Sequence, residues 1–336
     1  MERFTLDKLP RKALRELEVE SAFALASLVI CAERLQVFRL LHKKTFTPAG
    51  AADRLGLEPT ATERFFQALA AVGLLKRNGG RFTNSALTDK FFVKTRSIHW
   101  TRQYSRECYE SYAEFMSLET KLRLTDALGR QPSSRRAGYV KLMEEDPERA
   151  RDFTMMLYHL HQPEATRLAK ALSLRGYYNL LDVGGGSGVM SIPLVRKNRR
   201  LNATILDVEP VCRVADGVIS KARLSSRIRT LPGSFMKDLP SGFDVMMFCD
   251  VGTLGVNLLK RAYLRLPQGG LIVIVDSFLS NGDTTPLESV FHRLISPPSG
   301  LERRHELIDA LRTTGFRRVR HTGLHLDVQL VTAVKP

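Results

Sequence analysis

The chain has 336 residues, too long for one ordinary domain and suited to two. Hydrophobic residues make up 43% and charged residues 26%, enough apolar side chain for both parts to bury cores, which excludes a disordered or fibrous chain. A net charge of +16 raises a nucleic-acid or anionic-ligand hypothesis, yet the basic residues are spread out, and their densest run, Arg196-Lys197-Asn198-Arg199-Arg200, reads as the solvated end of a helix, where the dipole favours cations.

No stretch approaches the roughly 20 apolar residues of a membrane span. The longest apolar run, 22–32, is interrupted by Ser27 and preceded by Glu16, Glu18 and Glu20, unlike the flank of a signal peptide. Cys31, Cys108, Cys212 and Cys249 are scattered without CxxC spacing and read as reduced thiols of a cytoplasmic protein with no membrane partner.

In chain order, 14–41 carries apolar residues at mixed spacings of three and four, as an amphipathic helix pair does. A short helix then begins near Thr47-Pro48 and ends at Gly56, where glycine accepts a left-handed cap. A second helix runs from Pro59 to about Val72. Asn78-Gly79-Gly80 marks a hairpin turn between 74–77 and 81–83. Helix, turn, helix and hairpin make a winged helix. The middle, about 99–175, is helical and rich in aromatics (Trp100, Tyr104, Tyr109, Tyr112, Phe115), with one long helix expected over 153–174. From Tyr178 the pattern changes to short strands alternating with helices: Asn179–Val183, 203–207, 227–231, 244–249 and 270–276. Such alternation predicts βαβ units and a mostly parallel sheet. After a last helix, 303–314, capped by Gly315, the runs 316–320 and Val328–Val334 stand too close for a parallel crossover and should pair antiparallel.

The chemistry concentrates at Asp182-Val183-Gly184-Gly185-Gly186-Ser187-Gly188, a strand entering a glycine turn before a helix. Glycines there let the backbone approach a ligand, and the helix start offers free N–H groups. The dinucleotide pattern GxGxxG fails, because its sixth position from Gly184 is Val189. The pattern DxGxGxG fits instead, and its acidic residue suits a ligand bearing an ammonium group over a pyrophosphate. A second strand ends at Asp207, where a carboxylate can accept hydrogen bonds from ribose hydroxyls.

At these residues the chain resembles the class I S-adenosylmethionine-dependent methyltransferases related to caffeate and hydroxyindole O-methyltransferases, a group that includes bacteriochlorophyllide C-methyltransferases. Asp182–Gly188 is similar to that family's DVGGGxG, Leu206-Asp207-Val208-Glu209-Pro210-Val211 to its DLPxV segment, and Gly233-Ser234-Phe235-Met236 to its GDxF. The resemblance implies an α/β, Rossmann-like catalytic sheet with an N-terminal winged-helix dimerisation domain. It divides the chain into a pairing domain (1–95), a helical linker and pocket wall (96–175) and a cofactor-binding domain (176–336). It implies that Gly184, Gly186 and Gly188 wrap the methionine end of S-adenosyl-L-methionine, with Asp182 steering it. Asp207 would hold the ribose and Phe235 would lie on the adenine. Ser234 stands where relatives carry an aspartate, and Cys249 where many carry a lysine near the cofactor.

One departure bears on mechanism. Plant-type relatives carry a His-Asp-Trp run after the fourth strand, whose histidine removes the acceptor's proton. Here Thr253 and Leu254 replace the histidine and aspartate. A threonine hydroxyl is no base near neutral pH, so the expected chemistry is methyl transfer to a small aromatic or conjugated acceptor, with carbon favoured as the methylated atom, without that base. Replacement bases are sought at His159, His161 and His292, with Glu302 as an orienting partner. His159 and His161, at spacing two on a helix, point to different faces and make no metal site. One rival is a decarboxylation or hydroxylation on the same scaffold. Another is a DNA-binding regulator, but the helix from Pro59 has Arg64 as its one basic residue, while Phe65, Phe66, Leu69 and Val72 read as buried, which leaves little to meet base edges. The expected partners are therefore the acceptor and a second copy of the chain, with no specific nucleic acid.

Overall fold

The computed structural model describes residues 19–94, 139–251, 254–278, 301, 303–325 and 328–336. They fall into two compact units.

The first unit comprises α1 (Val19–Arg34), α2 (Val37–Leu40), α3 (Pro48–Leu55), α4 (Pro59–Ala71) and a hairpin of β1 (Leu75–Asn78) and β2 (Arg81–Asn84). Thr47 caps α3 by accepting the Gly50 amide, and Gly56 ends it at φ 65°. The Glu58 carboxylate caps α4 through the amides of Thr60 and Ala61. Phe38, Phe66, Phe82 and Phe92 fill the core, with Phe66 edge-on to Phe82 at 5.5 Å. On α4, Phe66 and Leu69 are buried and Phe65 and Val72 pack against the same core. The predicted winged helix is present, and its second helix turns its apolar face inward.

The second unit contains α5 (Tyr139–Glu145), α6 (Pro147–Leu160), α7 (Gln162–Ala171), β3 (Asn179–Val183), α8 (Ser191–Lys197), β4 (Asn202–Asp207), α9 (Glu209–Lys221), β5 (Ile228–Pro232), β6 (Val245–Cys249), α10 (Val256–Arg265), β7 (Leu271–Ser277), α11 (Arg304–Thr314), β8 (Arg317–His325) and β9 (Val328–Val334). The strands form one sheet in the order β5-β4-β3-β6-β7-β9-β8. β3 to β7 run parallel, whereas β9 is antiparallel to both β7 and β8, as the short 8–9 connection requires. The strands are Leu-, Val-, Ile- and Met-rich, and separate hydrophobic clusters cover the two faces. Chain order reverses between β3 and β6, so the carboxyl ends of those strands open onto the switch-point crevice where α/β sheets bind ligands.

One expected element is divided. The single helix over 153–174 is two helices, α6 and α7, with His161 between them at φ −91°, ψ 4°. Pro163 explains the break: it has no N–H for the helical ladder, and its ring would strike the carbonyl four residues back. His161 therefore occupies a corner, and helical spacing does not set where its ring points. Ahead of it, Met143, Ala150 and Phe153 pack on Val208 and Val211, which brings α5 and α6 to the carboxyl end of β4.

The C-terminal tail has a structural task. Lys335 donates to the carbonyls of Tyr263 (2.8 Å) and Leu266 (2.7 Å) at the end of α10, while its ammonium lies 4.8 Å over the Tyr263 ring. Lys335→Met should lower stability by roughly 1–3 kcal/mol, as expected for losing charge-assisted bonds to helix-end carbonyls, and chemical denaturation will measure it.

Candidate active site

The site begins under the glycine turn. Asp182, next to last in β3, is completely buried. Its Oδ2 accepts a 2.7 Å hydrogen bond from the Ser191 hydroxyl, and its Oδ1 has no hydrogen-bond partner among the described residues. The turn folds directly over this carboxyl: a Cβ on Gly185 would stand 2.5 Å from Asp182 Cγ. Gly188 sits at φ 77°, a conformation that strains any side chain, and its Cβ position lies 2.5 Å from Ile205 Cδ1, which would have to move. At Gly186 no described residue lies within 4 Å of the corresponding point. The turn is thus sealed below and open above.

Asp207, at the end of β4, clamps the turn from the side. Its Oδ2 accepts the Gly186 amide at 2.9 Å and its Oδ1 the Val208 amide at 2.8 Å. Burial drives the Asp182 pKa up to about 7, against the lowering effect of Ser191 and with a further rise from the Asp207 charge. Burial likewise raises Asp207 to about 6, opposed by the Gly186 and Val208 amides. Neither carboxyl forms an ion pair with a basic side chain among the described residues.

The other wall comes from β5 and β6. The Gly233 amide bonds to the Asp207 carbonyl at 2.9 Å, which leads Ser234 and Phe235 past the cradle. Phe235 Cε1 lies 3.4 Å and Val251 Cγ1 3.0 Å from the Cβ position of Gly184. Cys249, ending β6, has its thiol pKa raised by burial first, then by the charges of Asp182, Asp276 and Asp250.

Glycine turn, Asp182, Asp207, Ser234, Phe235 and Cys249 thus converge at one end of the sheet. His161 approaches the same place, with Nε2 3.7 Å from Asp250 Oδ2. His159 packs edge-on against Tyr158 at 5.2 Å. His292, Glu302 and Thr253 lie outside the described residues. Sequence reasoning gave no role to Ser191, Asp250 or Val251. Ser191 had one legible signal, a hydroxyl in the first turn of the helix that follows the glycines. Asp250 and Val251 had none, because the pairing of β3 with β6 is what sets Val251 beside Gly184.

Comparison with known proteins decides the family. The profile of the O-methyltransferase domain matches residues 125–317, more than half of the chain, and that of the O-methyltransferase dimerisation domain matches 17–94. The chain belongs to the O-methyltransferase family. It is a methyltransferase, and the methyl donor of the family is S-adenosylmethionine. Among its relatives, the N,N-dimethyltransferase OxyT of Streptomyces rimosus is 27% identical over 330 residues, 95% of this chain and 96% of that protein. The L-tyrosine C(3)-methyltransferase of Streptomyces lavendulae is 29% identical over 288 residues, 80% and 76% of the two chains. The solved structure of the mitomycin 7-O-methyltransferase MmcR shares the fold with a TM-score of 0.81 at 21% identity, covering 97% of this chain and 98% of that one. Among the described residues, no helix is long and apolar enough to cross a membrane.

The raised pKa values make a stability prediction. A carboxyl whose folded pKa lies above its unfolded value favours folding while protonated, so its contribution falls as pH rises from about 4 to about 7. The Asp182→Asn protein without cofactor should escape this loss. Relative to the parent it should gain on the order of 2–4 kcal/mol between pH 4 and pH 7.5, read as diverging denaturation midpoints.

Proposed function

We propose that this methyltransferase transfers its methyl group to a small aromatic or conjugated acceptor, with the cofactor held by Asp182, Gly184, Gly186, Gly188, Asp207, Ser234, Phe235 and Cys249. The observation that carries the reading is electrostatic. A chain of net charge +16 keeps two buried aspartates at neighbouring strand ends clear of any basic side chain among the described residues, so the site favours a cation. S-adenosylmethionine, with an ammonium group and a sulfonium centre, is such a ligand, and when bound it supplies an electrophilic methyl group.

The residues divide the work. Asp182 sets negative potential beneath the turn. The open face above Gly186 admits a ligand against the backbone, and Asp207 keeps lone pairs for two hydroxyls beyond its backbone bonds. Phe235 offers an aromatic surface beside Gly184. With the electrophile bound, the protein mainly aligns donor and acceptor, a contribution of several kcal/mol. The relatives extend to a tyrosine ring-carbon methyltransferase and to a 3-hydroxy-5-methyl-1-naphthoate 3-O-methyltransferase of Streptomyces sahachiroi, which supports an aromatic acceptor for this chain and leaves carbon and oxygen both within its chemistry. We place the domain boundaries near 95 and 175, and the pairing of two copies in the N-terminal domain.

Calorimetry should detect S-adenosylhomocysteine binding and no NAD binding. Asp207→Ala strands the Gly186 amide as well as the ligand's hydroxyls and should weaken binding by roughly 1–3 kcal/mol; an unchanged affinity removes Asp207 from the site. Light scattering of the full chain should give a dimer at micromolar concentration, and a monomer there contradicts pairing through the N-terminal domain.

A further inference from the structure

The segment after β6 holds a feature that cofactor binding does not use. Asp250 adopts φ 51°, the left-handed region that residues other than glycine rarely occupy and that clusters at functional sites. Its amide still bonds to the Val275 carbonyl at 3.0 Å, so the neighbouring strand holds this conformation in place. On one side stands Cys249, whose thiol feels the charge of Asp182; on the other is Val251, against Gly184. Asp250 thus lies between two residues beside the glycine turn, with its side chain 62% exposed.

Facing it is His161, 20% exposed, at the corner made by Pro163. Nε2 and Oδ2 are 3.7 Å apart, and neither side chain has another hydrogen-bond or ion-pair partner among the described residues. That separation exceeds a direct hydrogen bond and lies within ion-pair range, and catalytic contacts are commonly longer before substrate binds.

We propose that His161 and Asp250 form the acid–base couple that removes the hydroxyl proton of a phenolic acceptor. This deepens the methyl-transfer reading and rests on it. Thr253 stands where the resemblance sets a histidine, and the couple supplies a base from the corner between α6 and α7 instead. The hydroxyl proton passes to an imidazole nitrogen of His161, and the imidazolium is held by the Asp250 carboxylate. The freed electron pair, on oxygen or delocalised onto a conjugated ring carbon, forms the bond to the methyl carbon. The methyl–sulfur bond breaks with its electrons remaining on sulfur, leaving S-adenosylhomocysteine. Since a phenolate carries charge on both oxygen and ring carbon, one couple serves either site of methylation. His161 is the catalytic residue and Asp250 the positioning residue.

The test uses the full chain loaded with S-adenosylhomocysteine and 4-nitrophenol, whose phenolate absorbs visible light. The parent protein should raise the ionised fraction of the bound probe, His161→Ala should abolish that rise, and Asp250→Asn should reduce it severalfold, with Asp250→Glu restoring most of it. Release of S-adenosylhomocysteine from S-adenosylmethionine is then followed with phenols graded in acidity. His161→Ala should cost about 10²-fold or more with weakly acidic phenols, as loss of a general base does, and less than tenfold with the readily ionised nitrophenol. An ionised fraction unmoved by His161→Ala, an equal loss across the series, or failure of the parent to bind or methylate any of the phenols overturns the couple. Calorimetry separates the levels: intact S-adenosylhomocysteine binding confines such a failure to the couple, whereas its absence in the parent overturns the cofactor reading and this one together.

Discussion

The carboxyl of Asp182, sealed beneath Gly185 and tied to Ser191, sets where the glycine turn lies, and the rest of the site follows from that position. A side chain at 185 would collide with the carboxyl, and one at 188 would be strained at φ 77°, so glycine backbone lies between the buried core and the open face above Gly186. The second aspartate, at the end of β4, holds the turn by its Gly186 amide. Two neighbouring parallel strands therefore each contribute one carboxylate to one short loop. Register makes this possible, since Asp182 pairs with Ile205 and Val183 with Leu206, the residue before Asp207.

Charge is distributed against the chain's overall sign. Lysines and arginines outnumber the acids, yet the carboxyl ends of β3, β4, β6 and β7 carry Asp182, Asp207, Asp250 and Asp276. Burial makes the first two reluctant to ionise, since both carboxyls are taken out of water. Cys249, among three of these aspartates, is kept as a neutral thiol, an apolar wall in place of a competing nucleophile.

The division of one expected helix into α6 and α7 sets the two histidines apart. On a continuous helix His159 and His161 would be equivalent candidates on different faces. With Pro163 breaking the ladder, His159 packs on Tyr158 while His161 turns toward Asp250. A backbone interruption thereby separates two histidines that composition and spacing treat alike.

Local chemistry made much of the architecture legible in advance. The strands from 179 to 276 and the antiparallel pair at the end were visible because buried parallel strands are continuous apolar runs and a short connection forbids a crossover. The winged helix was visible through the prolines that start its helices, the Gly56 cap and the Gly79-Gly80 turn. The glycine turn and both its aspartates were legible for the same reason, since backbone conformation and strand ends leave signatures within a few residues. Tertiary structure alone decided that Ser191 closes on Asp182, that Val251 walls Gly184, and that His161 meets Asp250. Those contacts join residues from different strands and helices, and their distances depend on sheet order and on the corner at Pro163, which no local pattern encodes.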